Sequence, residues 1–106
     1  ISGGQMQRAA VSRALVNEPD IILADEPTGN LDSKSSTTIM ECFEKIVTEL
    51  HTTVLVVTHD VFSASYCDKV IFIQDGKIHS LIEKKSTRKE FIDQIMDCLA
   101  VLGGNR

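Results

Sequence analysis

Three absences narrow the reading of this 106-residue chain. No apolar run approaches the ~20 residues that a bilayer-spanning helix needs. Positive charge is in deficit: 11 Lys and Arg against 15 Asp and Glu give a net charge of −4, which argues against a general nucleic-acid binder. The local positives Lys84-Lys85 and Arg88-Lys89 read as a solvated helix start rather than a binding patch. Paired cysteines are also missing. Cys42, Cys67 and Cys98 stand at spacings that suit neither a metal site nor a redox pair. Reduced thiols are expected, with Cys67 and Cys98 packing. No secretory leader, internal repeat, low-complexity segment or linker is visible. Residue 1 is Ile and a motif begins at once, so the chain is expected to be a piece of a longer one.

What is present reads as one α/β unit. Ser2 and Gln5 form an S-x-x-Q capping box, so a helix should follow with Met6, Ala9, Ala10, Ala14 and Leu15 inward, stopped by Asn17 and Pro19. Ile21 to Ala24 is a short apolar run, expected as a strand buried on both faces. Pro27 to Asp32 is a loop, and Asp32 or Ser33 can cap the helix beyond it. Ile39, Met40, Phe43, Ile46, Val47 and Leu50 recur there at helical spacing. Thr53 to Val57 is a second buried strand, rich in β-branched residues. Strand, helix, strand at this spacing suggests a right-handed parallel crossover.

Asp60 can cap a short helix reaching Tyr66, and Val70 to Ile73 is a third strand. Asp75-Gly76 is a hairpin turn signal, so Lys77 to Ile82 should return antiparallel. Thr87 and Glu90 form a further capping box. Phe91, Ile92, Ile95, Met96, Leu99 and Leu102 line a last helix that Gly103 should end.

Asp25 and Glu26 follow the first strand directly. A buried parallel strand delivers the residues after it to the carboxyl edge of its sheet, where ligands of open α/β folds bind. A hydrated Mg2+ takes one or two carboxylates plus phosphate oxygens. Asp25 suits the metal, through a water, and Glu26 suits the orientation and deprotonation of an attacking water. Taken alone, the pair also fits two acids that merely end a strand in solvent. Ser2-Gly3-Gly4-Gln5 offers free backbone N–H groups at a helix start, which bind anions; taken alone it is also an ordinary capped helix behind a Gly loop. His59, after the second strand, would face the same edge as Glu26 and could contact a γ-phosphate or hold the water. His51 and His79 have no comparable setting.

Order decides between these readings. Ser2-Gly3-Gly4-Gln5, then Ile21-Ile22-Leu23-Ala24-Asp25-Glu26, then Gly29-Asn30-Leu31-Asp32, then His59 resembles the second half of the ATPase domain of ABC transporters. Ser2 to Gln5 looks like that family's signature motif, with Ile1 in place of the more usual Leu. Ile21 to Asp25 looks like its Walker B strand, Glu26 its catalytic glutamate, Gly29 to Asp32 its D-loop and His59 its switch histidine. The match runs from Ile1 to about Ile82.

The resemblance implies a partial P-loop NTPase sheet: parallel strands with crossover helices, then a C-terminal antiparallel hairpin and a final helix. It implies ATP and Mg2+ as cofactors and a head-to-tail dimer with a second ATPase domain. Ser2, Gly3, Gly4 and Gln5 would then serve the partner's nucleotide, while Asp25, Glu26 and His59 serve their own. Asp32 would link the two sites. A transmembrane permease subunit is implied as well, with the ATPase on the cytoplasmic face of the membrane and no nucleic-acid partner. One part of the pattern is missing: no G-x-x-x-x-G-K-[ST] occurs in these 106 residues. That loop supplies the N–H cradle and the Lys for the β- and γ-phosphates, so the chain alone is expected to be inactive. In the family its strand lies between those ending near Thr58 and starting near Val70, so two unpaired apolar edges and poor solo folding are expected.

Asp25-Glu26-Pro27-Thr28-Gly29-Asn30-Leu31-Asp32 resembles the bacterial lipoprotein-release, macrolide-export and peptide-antibiotic-resistance transporters. The tail from Phe91 to Gly104 is similar to the bacitracin-type group. Two other readings compete: a non-transport ABC protein of translation or repair, against which Gly29-Asn30 argues, and a stand-alone module that offers its signature motif to a complete partner.

Overall fold

The computed structural model describes residues 19–104. The expected first helix and the motif Ser2-Gly3-Gly4-Gln5 lie outside them. In order come β1 (Ile21–Asp25), α1 (Ser33–Leu50), β2 (Thr53–Val57), α2 (Val61–Ala64), β3 (Lys69–Gln74), β4 (Lys77–Glu83) and α3 (Arg88–Gly104). β1 pairs with β2 in parallel, from Ile21 opposite Thr53 to Asp25 opposite Val57. β3 pairs with β4 antiparallel. Among the described residues these form two separate two-stranded sheets, and the expected α/β class, with its parallel crossover, hairpin and final helix, is what is found.

Helix α1 starts where Asp32 takes an extended backbone and its Oδ1 accepts the Ser35 N–H at 2.7 Å. That satisfies one of the donors a helix N-terminus leaves unpaired. The helix stops at His51, which turns left-handed at φ 54 and donates its N–H to the Ile46 carbonyl. Between these ends Ile39, Met40, Phe43 and Ile46 are buried against Ile22 and Ala24 of β1. Burying one such side chain contributes roughly 1.5–3 kcal/mol. Leu50, expected inward, is exposed at the last residue of the helix.

The strands correct an expectation. β1 alternates exposed and buried residues, and β2 alternates exposed and half-buried ones. α1 covers one face of the pair, while Ile21, Leu23, Leu55 and Val57 on the other face are about half to two-thirds exposed. Burial on both faces needs a second layer, which the described residues do not provide.

A second core gathers Phe72 of β3 with Phe91 and Ile95 of α3. The hairpin between β3 and β4 turns at Asp75 and Gly76, at φ 53 and 75. Positive φ at both central residues is what a type I′ turn demands, and Gly meets it without a Cβ penalty. Helix α3 begins as Thr87 Oγ1 accepts the Glu90 N–H at 3.2 Å. The Glu90 carboxylate accepts from Ser86 Oγ instead of completing the expected box. The inward stripe is narrower than expected. Phe91, Ile95, Cys98 and Leu102 face the core, whereas Met96 and Leu99 lie on the helix flank, 53% and 41% exposed. Residues at i, i+4, i+7 and i+11 share one line on a helix, and Cys98 rather than Leu99 falls on it. The helix also continues through Gly103 to Gly104.

Candidate active site at the carboxyl edge of the parallel pair

Parallel pairing puts the carboxyl ends of β1 and β2 side by side. The ladder continues past Asp25, as the Glu26 N–H donates to the Val57 carbonyl at 2.7 Å. Glu26 then turns left-handed, at φ 46, and its side chain meets the residues that leave β2. Glu26 Oε1 accepts the His59 backbone N–H at 2.9 Å and lies 2.7 Å from His59 Nδ1. Glu26 Oε2 accepts the Thr58 hydroxyl at 3.0 Å. An ionised carboxylate only accepts, so a bonded Nδ1 carries its proton. His59 is 99% exposed in its side chain and Glu26 39%. The other edge of the imidazole, Nε2, is therefore open to solvent.

These donors hold the charge on Glu26. The His59 side chain above all, then the Thr58 hydroxyl and the His59 N–H, keep its carboxyl below the usual glutamate range, against a smaller opposing effect of burial. Asp25, next to it, is exposed at the strand end. A lone exposed carboxylate suits Mg2+ that keeps its waters and is held also by phosphate oxygens; it does not suit a cage built by protein alone. Among the described residues no group of three or more His, Cys, Asp or Glu forms such a cage.

A second layer lies beneath. Thr58 Oγ1 also accepts the Asp60 N–H at 2.9 Å. Asp60 caps α2 by accepting from the Phe62 and Ser63 N–H groups. Ser63 Oγ donates to Asp60 Oδ2 at 2.8 Å and lies 2.7 Å from Thr28 Oγ1. In the loop after β1 the Gly29 N–H donates to the Glu26 carbonyl at 3.0 Å. A Cβ at Gly29 would come within 3.3 Å of that oxygen, so the loop closes tightly here. Asn30 follows in the left-handed region at φ 64, a conformation that Asn tolerates.

A family model described as "ABC transporter" matches residues 1–29. The chain is 52% identical over 105 residues to the ABC transporter ATP-binding protein YxdL of Bacillus subtilis, covering 99% of this chain and 41% of that protein. It is 49% identical, over 98% of its own length and 42% of the relative's, to the bacitracin export ATP-binding protein BceA of Halalkalibacterium halodurans. The chain belongs to the ABC ATPase family. A dimeric post-hydrolysis structure of the ATP-binding cassette MJ0796, bound to ADP and Pi, superposes with a TM-score of 0.71 at 44% identity. That superposition covers 81% of this chain and 37% of the other, and a relative of this name comes from Methanocaldococcus jannaschii. The chain thus spans about two fifths of the length of the curated relatives it matches.

Of the ABC-type residues read from the sequence, Asp25, Glu26 and His59 share one edge, with Glu26 and His59 in direct contact. Asp32 stands apart as the α1 cap; the Ser35 N–H holds its carboxyl below the usual aspartate range. Ser2, Gly3, Gly4 and Gln5 lie outside the described residues. Sequence reasoning missed Thr28, Thr58 and Ser63, and gave Asp60 only a capping role. Thr58 stands next to His59, and that adjacency was the one available hint. Thr28 and Ser63 are 35 residues apart, so no local pattern could pair them.

Proposed function

We propose that this chain is the C-terminal part of the ATP-binding subunit of an ABC transporter, which couples ATP binding and hydrolysis to transport across a membrane. The observation that carries the reading is the Glu26–His59 contact at the carboxyl edge of a parallel strand pair, beside Asp25. Bound Mg2+ supplies charge neutralisation on the phosphates. Asp25 would hold it through a water. Glu26 would accept a hydrogen bond from the attacking water and take its proton, and the open edge of His59 would meet the γ-phosphate side. With its charge already held by three donors, Glu26 is better suited to orienting water than to retaining a proton, which fits a reaction catalysed mainly by positioning and electrostatics.

Ser2, Gly3, Gly4 and Gln5 would contact the ATP of a second ATPase domain in a head-to-tail dimer, and Asp32 would couple the two sites. A transmembrane permease would anchor the assembly at the cytoplasmic face of the membrane. Among the described residues no helix is long and apolar enough to cross a membrane itself. BceA is named for bacitracin export. Its similarity supports export of, or resistance to, an antimicrobial peptide as the transported activity.

The test is ATP turnover by the complete natural reading frame that contains this chain, assembled with its permease. Glu26→Gln keeps the shape and removes the base, and is expected to lower turnover about 100-fold or more. Wild-type turnover in that variant overturns the reading. The 106 residues alone carry no G-x-x-x-x-G-K-[ST], and no turnover is expected from them.

A further inference from the structure

The contact between Glu26 and His59 lies in water, and an exposed pair of side chains is easily opened. Something else must keep the two loops at bonding distance. Directly beneath, Thr28 is 8% exposed and Ser63 is 0%. Thr28 belongs to the loop after β1; Ser63 lies in α2, after the turn that carries His59.

Counting protons gives this contact a direction. Ser63 Oγ donates its only hydroxyl proton to Asp60 Oδ2 at 2.8 Å. The 2.7 Å approach of Thr28 Oγ1 to Ser63 Oγ then needs the Thr28 proton. The longer Thr28 contact to Asp60 Oδ2, at 3.4 Å, shares it. The result is a chain from Thr28 to Ser63 to Asp60 that ends on a group which only accepts, an arrangement in which each bond strengthens the next. Among the described residues no buried side-chain polar atom is left without a partner. Asp60 returns the connection upward, because its N–H donates to Thr58 Oγ1, which donates to Glu26 Oε2.

We propose that Thr28, Ser63 and Asp60 form a tie, buried at Thr28 and Ser63 and exposed at Asp60, that fixes the spacing of the two loops, making them positioning residues for the Glu26–His59 pair. Any effect on turnover rests on the function proposed above. The tie itself does not, and can be tested without nucleotide.

The experiment is native-state hydrogen exchange on the complete protein that contains this chain. Thr28→Val removes the hydroxyl and keeps the shape; Thr28→Ser keeps the hydroxyl. In the Val variant the His59 and Asp60 amides are expected to exchange about tenfold faster. The Ser variant should behave as the parent, and amides of α3 should be unaffected by either change. Faster exchange confined to Phe62 and Ser63, with the His59 and Asp60 amides unmoved, overturns the proposal. Should Thr28→Val loosen the whole protein, Ser63→Ala removes the middle of the tie, and the same readout decides. In an active complete protein the Val variant should lower kcat while leaving KM near its parent value. A complete protein, assembled with its permease, that lacks ATPase activity yet still shows the Val–Ser difference would refute the proposed function and leave the tie standing.

Discussion

The β1–α1–β2 unit and the β3–β4–α3 unit each pack one helix on two strands, yet only the first has a chemical end. Its strands run parallel, so both leave the sheet on the same side and their following residues meet. Glu26 comes from one loop and Thr58, His59 and Asp60 from the other. In the second unit the strands run antiparallel. The residues after β3 make a two-residue turn, those after β4 leave at the opposite end, and no comparable cluster forms among the described residues. Strand direction, more than residue content, decides where polar side chains converge.

If the two units are distinct in energy as well as shape, a core truncation should be felt on its own side. Phe43→Ala and Phe91→Ala each remove a buried ring and are expected to cost about 3–5 kcal/mol. Hydrogen exchange should quicken most in α1 and β2 for the first change, and in α3 and β3 for the second. Equal loss of protection in both units after either change would show one cooperative body.

A smaller effect is expected at the joint between them. The Arg88 guanidinium lies 4.3 Å from the Tyr66 ring centroid and 5.4 Å from that of Phe62. It also approaches Ser65 Oγ at 3.4 Å. Arg88 thereby fastens the start of α3 to the segment that follows His59. Arg88→Met keeps most of the stem and loses the charge; a cost of about 1 kcal/mol is expected, read as a lower denaturant midpoint.

The smallest expected effect is in acid. Glu26 and Asp32, both in the first unit, have folded pKa values below their ordinary 4.5 and 3.8. The unfolded chain therefore binds protons first as pH falls. Their stabilisation is fully present above pH ~5 and is lost as pH drops through the lowered folded values. Glu26→Gln combined with Asp32→Asn, in which Asn still caps α1, should flatten that acid limb. An unchanged limb in the double variant would assign it to other carboxylates.

The two units also differ in how far they could be read from residues alone. The hairpin was legible because Asp75-Gly76 is a local signal with a direct backbone meaning. Helix α1 was legible from its capped start and from the spacing of Ile39, Met40, Phe43 and Ile46. The open face of β1 and β2 was not: Ile21, Leu23, Leu55 and Val57 are apolar in sequence whether or not another layer covers them. Met96 and Leu99 misled for a similar reason, since composition marks an apolar stripe more broadly than packing uses it. The placement of Asp25, Glu26 and His59 at one edge was legible because each stands at or just past a strand end. The hydroxyls of Thr28 and Ser63 were not, because common residues paired across 35 positions leave no periodic trace.

The left-handed backbone at Glu26, φ 46, sets two demands on one residue at odds. Glycine meets that geometry more readily than any residue with a Cβ, but it brings no carboxylate. Variants selected only for thermal survival should drift from glutamate toward glycine or asparagine at position 26 and become sturdier without the acid. A library scored only for soluble, heat-resistant protein would thus tend to discard the one side chain on which the contact with His59 depends.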